Sequence, residues 1–173
     1  MSSALVERPE EKVFLATQIA DEARHQVFFD RFLRETCGMG HDMSSTLQSV
    51  RPDLSWGYLQ VFAELERICA RLRQRPRDKV LLTQRIVLYH LVIEGMLAHT
   101  GLHFLSDFAK RNQILPGFTA GMKQVIRDES HHIAFGIQIL RHEPRAEATG
   151  LVPAFTRRAE CIQLDYRARQ EAA

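Results

Sequence analysis

Apolar residues recur at three- and four-residue spacing through nearly the whole chain, and nowhere do apolar and polar residues alternate long enough to make a strand. That period constrains the fold more than any other feature. The chain must be helical, with one apolar stripe per helix turned toward its neighbours. Leu15, Ile19, Phe28, Phe29 and Phe32 mark a first helix from Glu11 to about Glu35, with Pro9 ahead of it and Gly38 as its C-cap. The stretch from Thr36 to Asp53, rich in Gly, Ser and Asp, reads as a loop. Leu54 to Gln74 is a second helix capped by Asp53, Arg77 to about Asn112 a third, and Thr119 to about His142 a fourth. Pro76, Pro116-Gly117 and Glu143-Pro144 separate them, and the remainder to Ala173 reads as a weaker, more polar helical stretch. A chain of 173 residues suits one domain, so the expectation is a single all-α domain over residues 1–173, an antiparallel helical bundle.

Composition narrows the partners. Lys and Arg number 23 against 21 Asp and Glu, a net charge of +2 that gives no reason to expect nucleic acid or a membrane surface. The densest basic stretch, Arg71 to Lys79, surrounds Pro76 and reads as a solvated helix end and loop. Cys37, Cys69 and Cys161 are too few and too far apart for a disulfide framework or a thiolate metal site, and fit a reducing compartment. The N-terminus lacks the basic and apolar regions of a secretory signal, and no uninterrupted apolar run reaches the roughly 18 residues that span a bilayer. A cytoplasmic location is expected.

The chemistry lies in a repeated pattern. Asp21-Glu22-Ala23-Arg24-His25 and Asp128-Glu129-Ser130-His131-His132 both read Asp-Glu-x-x-His. Random order would give about 0.03 such matches in a chain of this composition. Residues i and i+3 share a helix face, so Glu22 can point at one spot with His25, and Glu129 with His132. Both pairs fall on apolar stripes: Leu15, Gln18, Phe29 and Phe32 around the first, Met122, Val125, Ile126, Ile133, Gly136 and Leu140 around the second. A carboxylate on a buried face must be paired, protonated or bound to a metal. With few cationic partners at hand, hard divalent ions would supply the missing positive charge. Glu94, among Leu91, Leu97 and Ala98, is a third carboxylate on a mostly apolar face. Ferritin-like di-metal carboxylate bundles take one Glu from each of two helices and a Glu-x-x-His pair from each of two others. Glu22 with His25, Glu94, and Glu129 with His132 make five of those six ligands, in the order pair, single, pair. Asp21 and Asp128 can accept the second N–H of a ligand imidazole, or be exposed acids. His90, one turn before Glu94, reads equally as a supporting group or a core histidine.

Three segments carry a resemblance. Phe14 through Phe32, Tyr89 through Gly95, and Arg127 through Gly136 are similar to the ribonucleotide-reductase-small-subunit-like ligand-binding oxidases, in the same order and at similar separations over roughly residues 11–140. The resemblance implies a ferritin-like bundle with a manganese–iron or di-iron site that activates dioxygen. It implies a long-chain fatty acid bound beside the metals in an apolar tunnel, and a homodimer. It also implies a tyrosine, five residues before the single Glu, that is oxidatively cross-linked to a valine on the family's first helix. Tyr89 occupies that position, as a redox-active residue or as a core aromatic.

The chain departs from the pattern at its start. The family's first ligand, a Glu, lies on a helix preceding the first Glu-x-x-His helix, and so does the valine. Glu11 cannot replace that ligand, because 11 residues at 1.5 Å rise put it about 16 Å from Glu22. The expectation is therefore an N-terminally truncated chain, a helix donated by a partner, or a degenerate site. Two other functions compete with the oxidase. A radical-generating ribonucleotide reductase subunit would carry a tyrosine four residues after the first ligand His, where this chain has Phe29. A non-catalytic bundle that binds lipid or a partner would account for the missing ligand.

Overall fold

The structure is a computed structural model that describes residues 8–142. Every regular element among those residues is helical: α1 (Pro9–Glu35), α2 (Met43–Val50), a 3-10 turn (Arg51–Asp53), α3 (Trp56–Gln74), α4 (Lys79–Ile86), a π-helix (Val87–Ala98), α5 (His99–Arg111) and α6 (Pro116–His142). The expected stretch after His142 lies outside the described residues.

Each start and stop has a local cause. Pro9 opens α1, where its missing N–H costs nothing, and Glu10 and Glu11 in the first turn with Arg34 in the last suit the helix dipole. Gly38, at φ 67°, takes the left-handed turn that follows. The loop expected over residues 36–53 contains α2. Its start is a reciprocal cap: the Ser45 N–H donates to Asp42 Oδ1 at 2.7 Å, and the Asp42 N–H donates to Ser45 Oγ at 3.0 Å. Ser rather than Glu closes this cap, so the usual sequence signature is absent. Gly40, at φ 77°, lies so close to Thr46 that a Cβ there would sit 2.6 Å from the Thr46 nitrogen. The cap of α3 is Ser55 rather than Asp53, accepting from the Tyr58 N–H at 3.2 Å. Asp78 caps α4 through the Leu81 N–H at 3.1 Å.

The helix expected over residues 77–112 runs without a break from Lys79 to Arg111, but its middle twelve residues are π-helical. Such widened turns are rare and gather at functional sites. Glu94 lies within this stretch. By length and composition the helix could cross a membrane, although no uninterrupted apolar run in it is long enough. Leu81, Ile86, Leu88, Ile93 and Leu102 on it are buried in protein, whereas Val80, Met96, Phe104, Leu105 and Phe108 are exposed.

The chain divides into two compact units. Among the described residues the first comprises 8–53 and 94–134. Its core is Leu102, Met122 and Val125, packed by Phe28, Phe29, Phe118 and Ile126. The Phe118 ring stacks on Phe32 at 4.0 Å and on Phe28 at 5.5 Å. The second unit comprises residues 54–93 and 135–142, and there α3 packs on α4, with Val61, Ile68, Leu72, Leu81 and Ile86 buried. Gly136 belongs to it, and a Cβ at that position would meet the His90 Cβ at 2.4 Å.

Candidate metal centre

All five donors expected from the sequence fall within the first unit, on α1, the π-helix and α6. The three-residue spacing turns both members of each Glu-x-x-His pair inward. Glu22, Glu94, Glu129 and His132 each place one ligand atom within 4.8 Å of the others. His25 joins them, its Nδ1 lying 3.2 Å from Glu129 Oε1 and 3.8 Å from Glu22 Oε2. His132 Nδ1 stands 3.7 Å from Glu22, 3.8 Å from Glu94 and 3.7 Å from Glu129.

The opposite edges of the two imidazoles are held by a crossed arrangement. His25 Nε2 on α1 is 3.3 Å from Asp128 Oδ2 on α6, and His132 Nε2 on α6 is 3.3 Å from Asp21 Oδ2 on α1. Each Asp of the repeated motif thus serves the histidine of the other copy. An aspartate that takes the Nε2 hydrogen fixes the ring and turns Nδ1 to the centre. Arg24 pairs with Asp21, and Arg127 lies 3.6 Å from Asp128, so these cations sit on the outer aspartates.

Gln18 is a member of the site that sequence reasoning placed on the right face without assigning it a role. It is fully buried one turn before Glu22, and its Nε2 donates to Glu94 Oε1 at 2.8 Å. The signal was available: an amide on an apolar stripe needs a buried partner. Phe14, another turn back, sets its ring edge-on to His132 at 6.4 Å.

The electrostatics show how much negative charge is gathered. Burial alone would lower the His25 pKa, but Glu129, Glu22 and Asp128 raise it from 6.5 to about 10. His132 is also raised: burial opposes this, and Glu129, Glu94 and Asp21 outweigh it. Burial pushes Glu129 up, while His132 and His25 pull it down to about 2. The carboxylates thus draw protons onto both imidazoles.

These residues fit metal ions. Buried His25 Nδ1, His132 Nδ1 and Glu129 Oε2 have no hydrogen-bond partner, though all three lie in the cluster. Unsatisfied buried groups need an explanation, and cations replacing the imidazole protons would satisfy all three. Three carboxylates and two imidazoles suit hard and borderline divalent ions. The side chains are not equally enclosed. Glu94, Glu129, His25 and His132 are 4%, 7%, 9% and 1% exposed, whereas Glu22 is 36% exposed. The cluster is therefore open beside Glu22.

Tyr89 lies in the second unit, half-buried, its ring edge-on to His90 at 5.1 Å. His90 is buried and meets Phe135 edge-on at 6.0 Å. Phe29 lies in the aromatic cluster, 5.1 Å from Phe28 and 6.4 Å from Phe118.

A family model described as ribonucleotide reductase, small chain, matches residues 2–150. No solved structure matches the chain. The matched span takes in both Asp-Glu-x-x-His segments and Glu94 on an all-α, ferritin-like framework, and the chain belongs to the ribonucleotide reductase small-chain family.

Proposed function

We propose that this di-metal carboxylate protein is an oxidase that activates dioxygen at a manganese–iron or di-iron pair and binds a long-chain fatty acid or a similarly apolar ligand. The observation that carries the reading is the convergence of two imidazole Nδ1 atoms on a cluster of three carboxylates. Bound manganese and iron would supply the redox chemistry of dioxygen reduction. Glu22, Glu94 and Glu129 would neutralise the ions, and His25 and His132 would each add a nitrogen. Asp21 and Asp128 hold the imidazoles by their outer edges, and Gln18 fixes one oxygen of Glu94. Phe14 packs edge-on against His132. Glu22 lies on the open side, where a sixth donor or a reactant would enter.

Phe29 favours an oxidase over a radical-storing reductase subunit, because a phenyl ring has no phenolic hydrogen to lose. Tyr89 is the proposed oxidisable residue. Support for an apolar ligand comes from the resemblance and from an open groove of about 800 Å³ whose apolar wall is Val27, Phe28, Phe32 and Phe118, with Arg24, Arg31 and Glu35 beside it. A cytoplasmic homodimer completes the proposal.

The test is metal content. The chain is produced with iron and manganese supplied, and metals per chain are counted by mass spectrometry, with Glu129→Ala as control. About two ions per chain, absent from the control, support the reading. No retained metal in a folded wild-type chain sinks it. Organic extraction then reports whether a fatty acid copurifies.

A further inference from the structure

A second group of imidazoles lies in the first unit, outside the carboxylate cluster. His99 and His103 stand one turn apart on α5, the spacing that puts two side chains on one helix face. Their ring centroids are 4.7 Å apart at an interplanar angle of 78°. His99 is half-buried and His103 exposed. Neither contributes to the site described above.

A third residue fixes which nitrogen of His99 is available. The Ser130 hydroxyl on α6 donates its one hydrogen to the Ile126 carbonyl at 2.7 Å. Its oxygen lies 3.3 Å from His99 Nε2. With that hydrogen already committed, the oxygen accepts, so His99 carries its hydrogen on Nε2. His99 Nδ1 is then a bare lone pair on a ring anchored across two helices. Second-sphere support of this kind orients histidines that bind metals. Asp107, one turn beyond His103, pairs with Lys110 at 3.3 Å at the surface.

We propose that His99 and His103 form a second metal site, a helix-face chelate for a late first-row divalent cation, with water completing the coordination shell. Two neutral nitrogens and no carboxylate favour copper over nickel and zinc, and hold manganese and iron weakly. The carboxylate cluster offers more oxygen donors and so holds manganese and iron better than two imidazoles do. The His99 ring is already held, so less side-chain freedom is lost on binding than at a free pair.

The test is equilibrium dialysis of the full chain against buffered Cu²⁺. Copper is counted in wild type and in His103→Ala, with iron and manganese counted in the same samples. The expected result is one copper fewer in the variant at equal free copper. Unchanged iron and manganese should accompany it, with loss of a two-nitrogen hyperfine pattern from the copper resonance spectrum. The same difference should persist in a Glu129→Ala background. That comparison separates this site from the carboxylate cluster whether or not the cluster holds metal. His103 is exposed, and circular dichroism checks that the variant folds. Equal copper in the two chains overturns the proposal. A fall in iron and manganese along with copper also overturns it, because His103 would then act on the cluster.

Discussion

The two Asp-Glu-x-x-His segments share a sequence pattern but not an environment. On α6 both ligand side chains are enclosed, Glu129 at 7% and His132 at 1% exposure; on α1 His25 is enclosed and Glu22 is 36% exposed. One turn beyond the histidine the copies differ again, Gly136 on α6 against Phe29 on α1. The spacing of the motif sets where its side chains point, but the elements packed around each copy decide how much water reaches them. Identical motifs can therefore contribute unequally to one site.

The largest test of that inequality compares Glu129→Ala with Glu22→Ala. Removing the enclosed carboxylate should abolish metal retention. Water can replace a half-exposed oxygen, so Glu22→Ala should keep a reduced but measurable metal content. Equal losses would mean that exposure does not rank the donors.

The crossed aspartates sharpen the comparison. Asp128→Asn and Asp21→Asn should each weaken metal binding by about 10–100-fold in competition titrations. Double-mutant cycles read the crossing directly. Asp128→Asn should couple to His25→Ala and be near-additive with His132→Ala, and Asp21→Asn should show the reverse.

Gly136→Ala tests the α6 side alone. The added methyl would meet the His90 Cβ at 2.4 Å, an atom too near its backbone to swing away. A loss of about 1–3 kcal/mol is expected in denaturant unfolding.

The smallest effect is in pH. His25 is raised to about 10, so its contribution to the stability of the metal-free chain is complete below 6.5 and disappears as pH rises through 10. Glu129 is lowered to about 2, so its contribution is complete above 4.5 and disappears as pH falls through 2. Metal binding needs unprotonated imidazoles and strengthens with pH. The gap in melting temperature between metal-loaded and metal-free chain should widen from pH 6.5 to 9.

Much of this was legible in the sequence, for physical reasons particular to each element. Glu22 with His25 and Glu129 with His132 could be read because a three-residue step always shares a helix face. The helices of residues 9–35, 56–74 and 116–142 followed from period and breakers, to within a few residues. α2 was missed because Gly, Ser and Asp suggest a loop until Asp42 and Ser45 are seen to cap each other. The π-helix was hidden because Val87 to Ala98 is nearly all apolar and shows no period to measure. The crossing of the aspartates could not be read at all. Sequence spacing says what shares a helix, and only packing says which helix faces which.

That crossing also says when the site comes into being. His25 and Asp128 are 103 residues apart in the chain, and His132 and Asp21 are 111 apart. Closing loops of that length is among the slow, entropically costly events of folding. Before they close, each half offers a lone carboxylate–imidazole pair whose ring has no distant aspartate to steady it. Metal affinity is thus a late acquisition, and ions present during refolding would stabilise the finished topology rather than template its beginning.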